Sequence, residues 1–209
     1  MTPLTTRERK KNQTRDELIE AALGLFRERG YDATTVDDIV TAANYSRATF
    51  FRHFPTKEDV VFIDLPARIT ELEHLDDLPH GVDLWESAKQ AVVEQVLGFT
   101  SLQPGLEADC VRLWFTEPAL IGKYGEITIR CDRAIAAFFA NRLGLDPDAN
   151  IPCQILASAI IGVGRAVTHA GLVGEDAIRA ALEDGFALIE RDIKRTLHEL
   201  QGVRPGGHR

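Results

Sequence analysis

The sequence predicts an all-α fold: an N-terminal three-helix helix-turn-helix domain followed by a C-terminal helical bundle. Three observations predict it. Apolar residues recur at three- and four-residue spacing along most of the 209-residue chain, the period of one helical face. No sustained period-two run and no Asn-Gly hairpin turn interrupts that pattern. Gly30, Pro55, Pro104-Gly105, Pro118 and the pair Gly171 and Gly174 fall between the periodic stretches, where they stop helices.

The first helix is expected over residues of about 12 to 29, with Leu18, Ala21, Ala22, Leu25 and Phe26 on its core face and Gly30 as its C-terminal stop. The stretch TVDDIVTAANYSRATFFRHFPTK, residues 35 to 57, reads as two short helices around a tight turn. Val36, Ile39, Val40 and Ala43 share one face of the first. Thr35 is its N-cap, and Asp37 and Asp38 suit the positive end of the helix dipole. Asn44 tolerates the left-handed conformation that the turn needs. Ser46 caps the second helix, Phe50 faces inward, and Arg47, Thr49, Phe51, Arg52 and His53 are expected outward. Pro55 ends the helix, because the residue before a proline is pushed out of the α region. This is the layout of a helix that reads a DNA groove.

A longer helix is expected from about Thr56 to His74, with a kink or break at Pro66, and a loop over 76–81. Further helices are expected over about 84–102, 107–116, 119–143, 151–171 and 175–200, and a disordered tail over 201–209. The domains implied are 1–57 and 58–200. No window approaches about 18 uninterrupted apolar residues, the length of a membrane span. The polar, basic N-terminus has no apolar stretch behind it and does not resemble a secretory signal. Cys110, Cys131 and Cys153 are scattered and odd in number, which fits core thiols in a reducing cytoplasm better than a disulfide framework or a zinc site.

A net charge of −8 is unpromising for a DNA-binding chain until its distribution is read. Residues 1–57 hold ten Lys/Arg against eight Asp/Glu, and the rest hold fourteen against twenty-four. Arg7, Arg9, Lys10, Lys11 and Arg15 face only Glu8 in the first fifteen residues. Positive charge therefore collects at the helix-turn-helix end, as a basic arm that either follows phosphates or stays solvated.

The stretch from about Arg15 to Val61 resembles the N-terminal domain of the TetR family of bacterial transcription regulators. The matching residues are Ala21-Ala22, Leu25-Phe26, Gly30-Tyr31, Thr34-Thr35-Val36, Ile39, Ala42-Ala43, Ser46, Thr49-Phe50, Phe54 and Lys57-Glu58. Two positions depart from the family pattern: Asn44 stands at the usual turn glycine, and Phe51 at a position most often Tyr. The resemblance implies that Thr35 bonds a phosphate and that Tyr45, Ser46, Arg47 and Thr49 meet base edges or adjacent phosphates. Arg47 is the best candidate for a guanine, because its fork matches O6 and N7 together; Thr49 suits a thymine methyl. Phe51 lies on the same face, and Arg52, His53 and Lys57 are expected as backbone anchors. Phe50 and Phe54 belong to the small core.

One helix-turn-helix binds weakly, so specificity requires a homodimer on a palindromic double-stranded operator. The last two helices are the expected dimerisation elements. They carry the small residues Ala157, Ala159, Gly162, Gly164 and Ala166, and then Ile178, Leu182, Phe186, Ile189, Ile193 and Leu197. Residues 84–170 collect Trp85, Phe99, Trp114, Phe115, Tyr124 and Phe138, either core or the wall of an apolar effector cavity. Arg112, Arg165 and His169 sit in apolar context, and an arginine there must find an acid or an anion, Glu117 or a ligand group. The C-terminal half loosely resembles the mycofactocin-system regulator type. That resemblance implies a small apolar or amphipathic effector with an acidic end, a fatty acyl derivative for example.

An enzyme is disfavoured. The sequence has no Gly-rich phosphate loop, no HExxH and no Gly-x-Ser-x-Gly, and its histidines are dispersed. Neither a cofactor nor a metal nor a membrane partner is expected. The reading is a ligand-responsive transcriptional regulator in the cytoplasm, a repressor released by its effector. The competing reading is a helical small-molecule-binding protein with weakened DNA binding.

Overall fold

A computed structural model describes residues 5–63, 65–98, 106–172 and 174–202. Among the described residues there are nine α-helices and no strand. They are α1 (Thr6–Arg29), α2 (Val36–Ala42), α3 (Arg47–His53), α4 (Leu65–Glu73), α5 (Leu84–Leu97), α6 (Leu106–Thr116), α7 (Pro118–Leu143), α8 (Ile151–His169) and α9 (Glu175–Gly202). The chain divides into two compact units, Met1–Ile63 with Gly105–Ile121, and Asp64–Pro104 with Gly122–Arg209. The division expected at residue 58 thus falls a few residues later, and α6 joins the N-terminal part.

In the first unit, α1 buries Leu18, Ile19, Ala22, Leu23, Leu25 and Phe26 against Ile39 and Val40 of α2 and Phe50 of α3. Phe50 and Phe54 meet at 5.5 Å, and Phe26 and Tyr31 at 4.9 Å. Asn44 takes the left-handed conformation, φ 56°, that the turn between α2 and α3 demands. The Tyr45 amide then donates back to the Val40 carbonyl at 2.8 Å. α6 docks through Trp114, whose ring stacks on Phe62 at 5.4 Å and whose Nε1 donates to the Val61 carbonyl at 2.8 Å. Arg27 pairs with Asp109 at 3.5 Å in the same unit.

α1 starts at Thr6 and not near residue 12, so Arg9, Lys10, Lys11 and Arg15 are helical and not a loose arm. Lysine, arginine and glutamine are good helix formers, and Gln13 donates to Glu17 one turn on at 2.9 Å. Nor does a helix run from Thr56 to His74. Thr56 and Asp59 close a local turn, Glu58–Val60 is one 3₁₀ turn, and Val60, Val61, Phe62 and Ile63 are all buried. Four consecutive buried side chains do not fit a helix with a single inward face. α4 begins only at Leu65, which places Pro66 in its first turn, where a missing N–H costs nothing.

In the second unit α5, α8 and α9 pack around Trp85, Val92, Leu156, Ile160, Leu182 and Phe186. Asp83 and Asn150 cap α5 and α8 through the Glu86 and Cys153 amides, each at 3.0 Å. A Cβ at Gly164 would lie 2.8 Å from Val92, and one at Gly185 2.7 Å from Val163. The small-residue strip of α8 therefore serves packing within the chain at Gly164. Ile178, Leu182, Phe186, Ile193 and Leu197 of α9 are likewise buried in their own core. The large apolar side chains left outward on these helices are Ile151, Ile155 and Leu188, the last 85% exposed. By length and composition α8 could cross a membrane; here it is a bundle helix that buries Cys153, Leu156, Ala157, Ile160, Ile161 and Val167.

The loop expected over 76–81 is fixed from below. Arg142, its side chain 8% exposed, donates to the carbonyls of Asp76 at 2.9 Å and Pro79 at 3.0 Å, and Leu75–Asp77 forms a 3₁₀ turn. α9 continues through Gly202, so the first two residues of the expected tail are helical and 203–209 lie outside the described residues. All three cysteines are buried free thiols.

Candidate nucleic-acid interface and effector cavity

The outward side of α3 is built by its caps. The Ser46 hydroxyl accepts from the Thr49 amide at 3.1 Å, satisfying one of the free N–H groups at the helix start. Thr35 and Asp38 form a reciprocal capping box on α2. The Thr35 hydroxyl accepts from the Asp38 amide at 3.2 Å, and the Asp38 carboxylate accepts from the Thr35 amide at 2.9 Å and its hydroxyl at 2.6 Å. Those bonds hold the Asp38 carboxyl below its usual range. Thr35 is exposed, but its proton is committed to Asp38.

With both helices so fixed, Arg47, Ala48, Phe51 and Arg52 are exposed on α3, while Thr49 and His53 are half-buried. Thr49 and His53 thus sit at the edge of the face and not on it. Ala48 is exposed there, a residue not singled out in the sequence although it shares the helical face of Arg47, Phe51 and Arg52. A methyl there suits a thymine methyl as well as threonine does. The Arg47 guanidinium lies 2.7 Å from Asp37 and 5.6 Å above the Phe51 ring, with Phe51 43% exposed. Asp37 and Arg47 are both well exposed, so this pair is weak and open to exchange.

Tyr45 is half-buried and its hydroxyl donates to Glu17 of α1, which lowers the Glu17 carboxyl. It ties α1 to the turn. The His53 imidazole is held below its usual range, first by burial and then by the positive charges of Arg52, Lys11 and Arg15. Its buried Nδ1 has no hydrogen-bond partner. Lys11 and Arg15 therefore bring the basic end of α1 close to the end of α3. Lys57, expected on phosphate, is occupied inside the unit. Its ammonium donates to the carbonyls of Tyr31 at 2.9 Å and Thr34 at 3.0 Å, and sits 4.1 Å from the Tyr31 ring centre. Tyr31 in turn donates to Glu58 at 3.1 Å, and burial with that carboxylate pushes its phenol strongly upward.

The residues expected around an effector are dispersed. Arg112, Trp114 and Phe115 lie on α6 in the first unit. Trp114 is the anchor described above, and Arg112 pairs with Asp109 at 3.6 Å, not with Glu117. Trp85 is core, edge-on to Phe186 at 5.9 Å, and Phe138 is core beneath Arg142 at 5.5 Å. Phe99 lies outside the described residues. His169 is exposed near the end of α8. Tyr124 and Arg165 do come together, across α7 and α8. Burial pushes the Tyr124 phenol up to about 12, and the Arg165 charge opposes that shift.

Along the same pair of helices lies a cavity of about 590 Å³, lined by Ile129, Asp132, Arg133, Ala136 and Ala137 of α7, Gln154 and Ser158 of α8, and the connecting Pro147 and Asp148. None of these was singled out in the sequence, because the helix-period pattern shows only which positions are apolar. Asp132 is raised by burial, against a hydrogen bond from Ser158 and the charge of Arg165, and its Oδ1 is buried without a partner.

A family model described as bacterial regulatory proteins of the tetR family matches residues 18–62, and one described as the MftR C-terminal domain matches residues 82–194. The HTH-type transcriptional regulator TcmR of Streptomyces glaucescens is 32% identical over 187 residues, 86% of this chain and 82% of that protein. The negative regulator of the icaADBC biofilm operon, IcaR of Staphylococcus epidermidis, is 41% identical over 46 residues, 22% of this chain and 25% of IcaR. Among solved structures, a TetR-like regulator from Rhodococcus sp. RHA1 is similar with a TM-score of 0.52 at 18% identity, covering 93% of this chain and 99% of that one. One from Syntrophomonas wolfei has a TM-score of 0.54 at 17% identity, covering 85% and 95%. These likenesses concern the fold.

Proposed function

Because the chain belongs to the TetR family of bacterial regulatory proteins, we propose that it is a ligand-responsive repressor acting as a homodimer on a palindromic operator in the bacterial cytoplasm. The observation that carries this reading is the capped α3, with Arg47, Ala48, Phe51 and Arg52 outward and the charges of Lys11 and Arg15 nearby. Arg47 leaves Asp37 for a base edge, and Arg52 meets the backbone. Thr35 and Ser46 act first as caps, Thr49 donates its amide to the Ser46 cap, and the two helix starts offer their remaining N–H groups to phosphate. Tyr45 and Lys57 act through the fold, holding α1, the turn and the segment around residue 57 together.

The repressor reading is supported by the likeness to IcaR, whose name describes a negative regulator. Pairing of two copies is supported by Ile151, Ile155 and Leu188, large apolar side chains that α8 and α9 leave outward. An effector in the second unit favours a bundle packing that does not hold both reading helices at operator spacing. It must prefer that state, or nothing shifts.

Selection of random duplexes by the full chain tests the reading. Enrichment of an inverted repeat with half-sites about one helical turn apart is expected. Recovery of no shared sequence, or of a single half-site by a monomer, would overturn it.

A further inference from the structure

The α7–α8 seam is antiparallel, with Tyr124 beside Arg165 at one end and Asp132 beside Ser158 farther along. Apart from Ile129, the residues that line it are small, polar or charged, where a bundle seam ordinarily interdigitates large apolar side chains. The result is the cavity of about 590 Å³, within the usual volume range of small-molecule sites. Ile129, Ala136, Ala137 and Pro147 supply apolar wall, and one oxygen of Asp132 is buried there with nothing to accept from. A buried acceptor without a donor is costly, and a donor that reaches it is correspondingly favoured.

We propose that this seam binds a neutral amphipathic molecule whose hydroxyl donates to Asp132 while its apolar body lies along Ile129, Ala136 and Ala137. An anionic head gains little, since the attraction of Arg133 is opposed by Asp132 and Asp148, which line the same space. An ammonium gains little, because Arg133 lines the cavity and Arg165 already acts on Asp132. A hydroxyl satisfies the open oxygen without adding charge. The inference rests on the reading of the second unit as the effector-binding part, and it replaces the acidic-ended effector that the resemblance implied.

Calorimetric titration of the full chain with 1-decanol, decyl methyl ether and decanoate tests it. The alcohol is expected to bind about tenfold more tightly than the ether, the worth of one hydrogen bond to a charged acceptor, and decanoate is expected to bind more weakly than the alcohol. Asp132→Leu should erase the preference for alcohol over ether, while Asp132→Asn, which keeps an acceptor, should retain part of it. Equal binding of alcohol and ether by the unaltered chain, tightest binding of decanoate, or a preference that survives Asp132→Leu would overturn the proposal. Affinity for the selected duplex, measured with and without decanol, separates the two readings. Tight alcohol binding that leaves DNA affinity unchanged upholds the site and overturns its role as the effector site.

Discussion

In the first unit the polar side chains around α3, the buried Nδ1 of His53 excepted, satisfy one another; at the α7–α8 seam the Oδ1 of Asp132 is left open beside a cavity. Thr35 with Asp38, Ser46 with Thr49, Tyr31 with Glu58, and Lys57 with two carbonyls close nearly every polar group near the reading helix inside the unit. What remains open is the outward face of Arg47, Ala48, Phe51 and Arg52. At the seam, Asp132 keeps a buried oxygen without a donor beside an open cavity. A rigid reader and an unsatisfied receiver follow from the same principle: buried polar groups must be paired, by the fold in one case and by a ligand in the other.

The largest expected effect tests which unit owns α6. Trp114→Ala removes a buried ring stacked on Phe62 and the donor to Val61, and should cost about 3–5 kcal/mol. Unfolding followed by denaturant should show the loss in the first unit. An undiminished stability with altered alcohol binding would instead place Trp114 at the effector site. Lys57→Ala comes next, at about 2 kcal/mol for two charge-assisted hydrogen bonds. Its DNA affinity should fall with an unchanged salt slope, because an ammonium facing Tyr31 and Thr34 releases no counterion. A slope lower by about 0.9 would instead make it a phosphate contact.

Smaller effects sharpen the picture of the face itself. Asp37→Asn frees Arg47 from an exposed pair worth about 0.2–1 kcal/mol. It should tighten binding to duplexes of any sequence in a fluorescence titration; a loss of affinity would mean that Asp37 positions Arg47 productively. The smallest effect is that of His53. Its imidazole is lowered by burial and by Arg52, Lys11 and Arg15, so its contribution to stability is complete above an ordinary histidine pKa of about 6.5 and is lost as pH falls below it. Thermal melts at pH 7.5 and 5.5 should show a larger acid loss for the native chain than for His53→Gln.

Most of the helices were legible in the sequence because their signals are local. Caps such as Thr35 and Ser46, the stop at Gly30 and the turn at Asn44 act within a few residues. The segment after Thr56 reads as a helix because Glu58 and Asp59 follow Thr56 as in a helix's first turn, and the burial of Val60, Val61, Phe62 and Ile63 together excludes a helix with one inward face. On α3, the position of Arg47 followed from helical spacing, whereas the inward commitment of Lys57 did not. Its partners, Tyr31 and Thr34, are 26 and 23 residues away. The same limit hid the seam. Asp132 and Ser158 look like ordinary surface residues until two helices distant in sequence are placed side by side.

The proposed function requires that α3 read sequence through Arg47. Its most direct test is equilibrium binding of the native chain and of Arg47→Ala to the selected duplex and to every single-base-pair variant of it. Arg47→Ala should cost about 1–3 kcal/mol and lose the preference at one base pair in each half-site while keeping the others. A loss of equal size on every duplex, with all preferences intact, would contradict it.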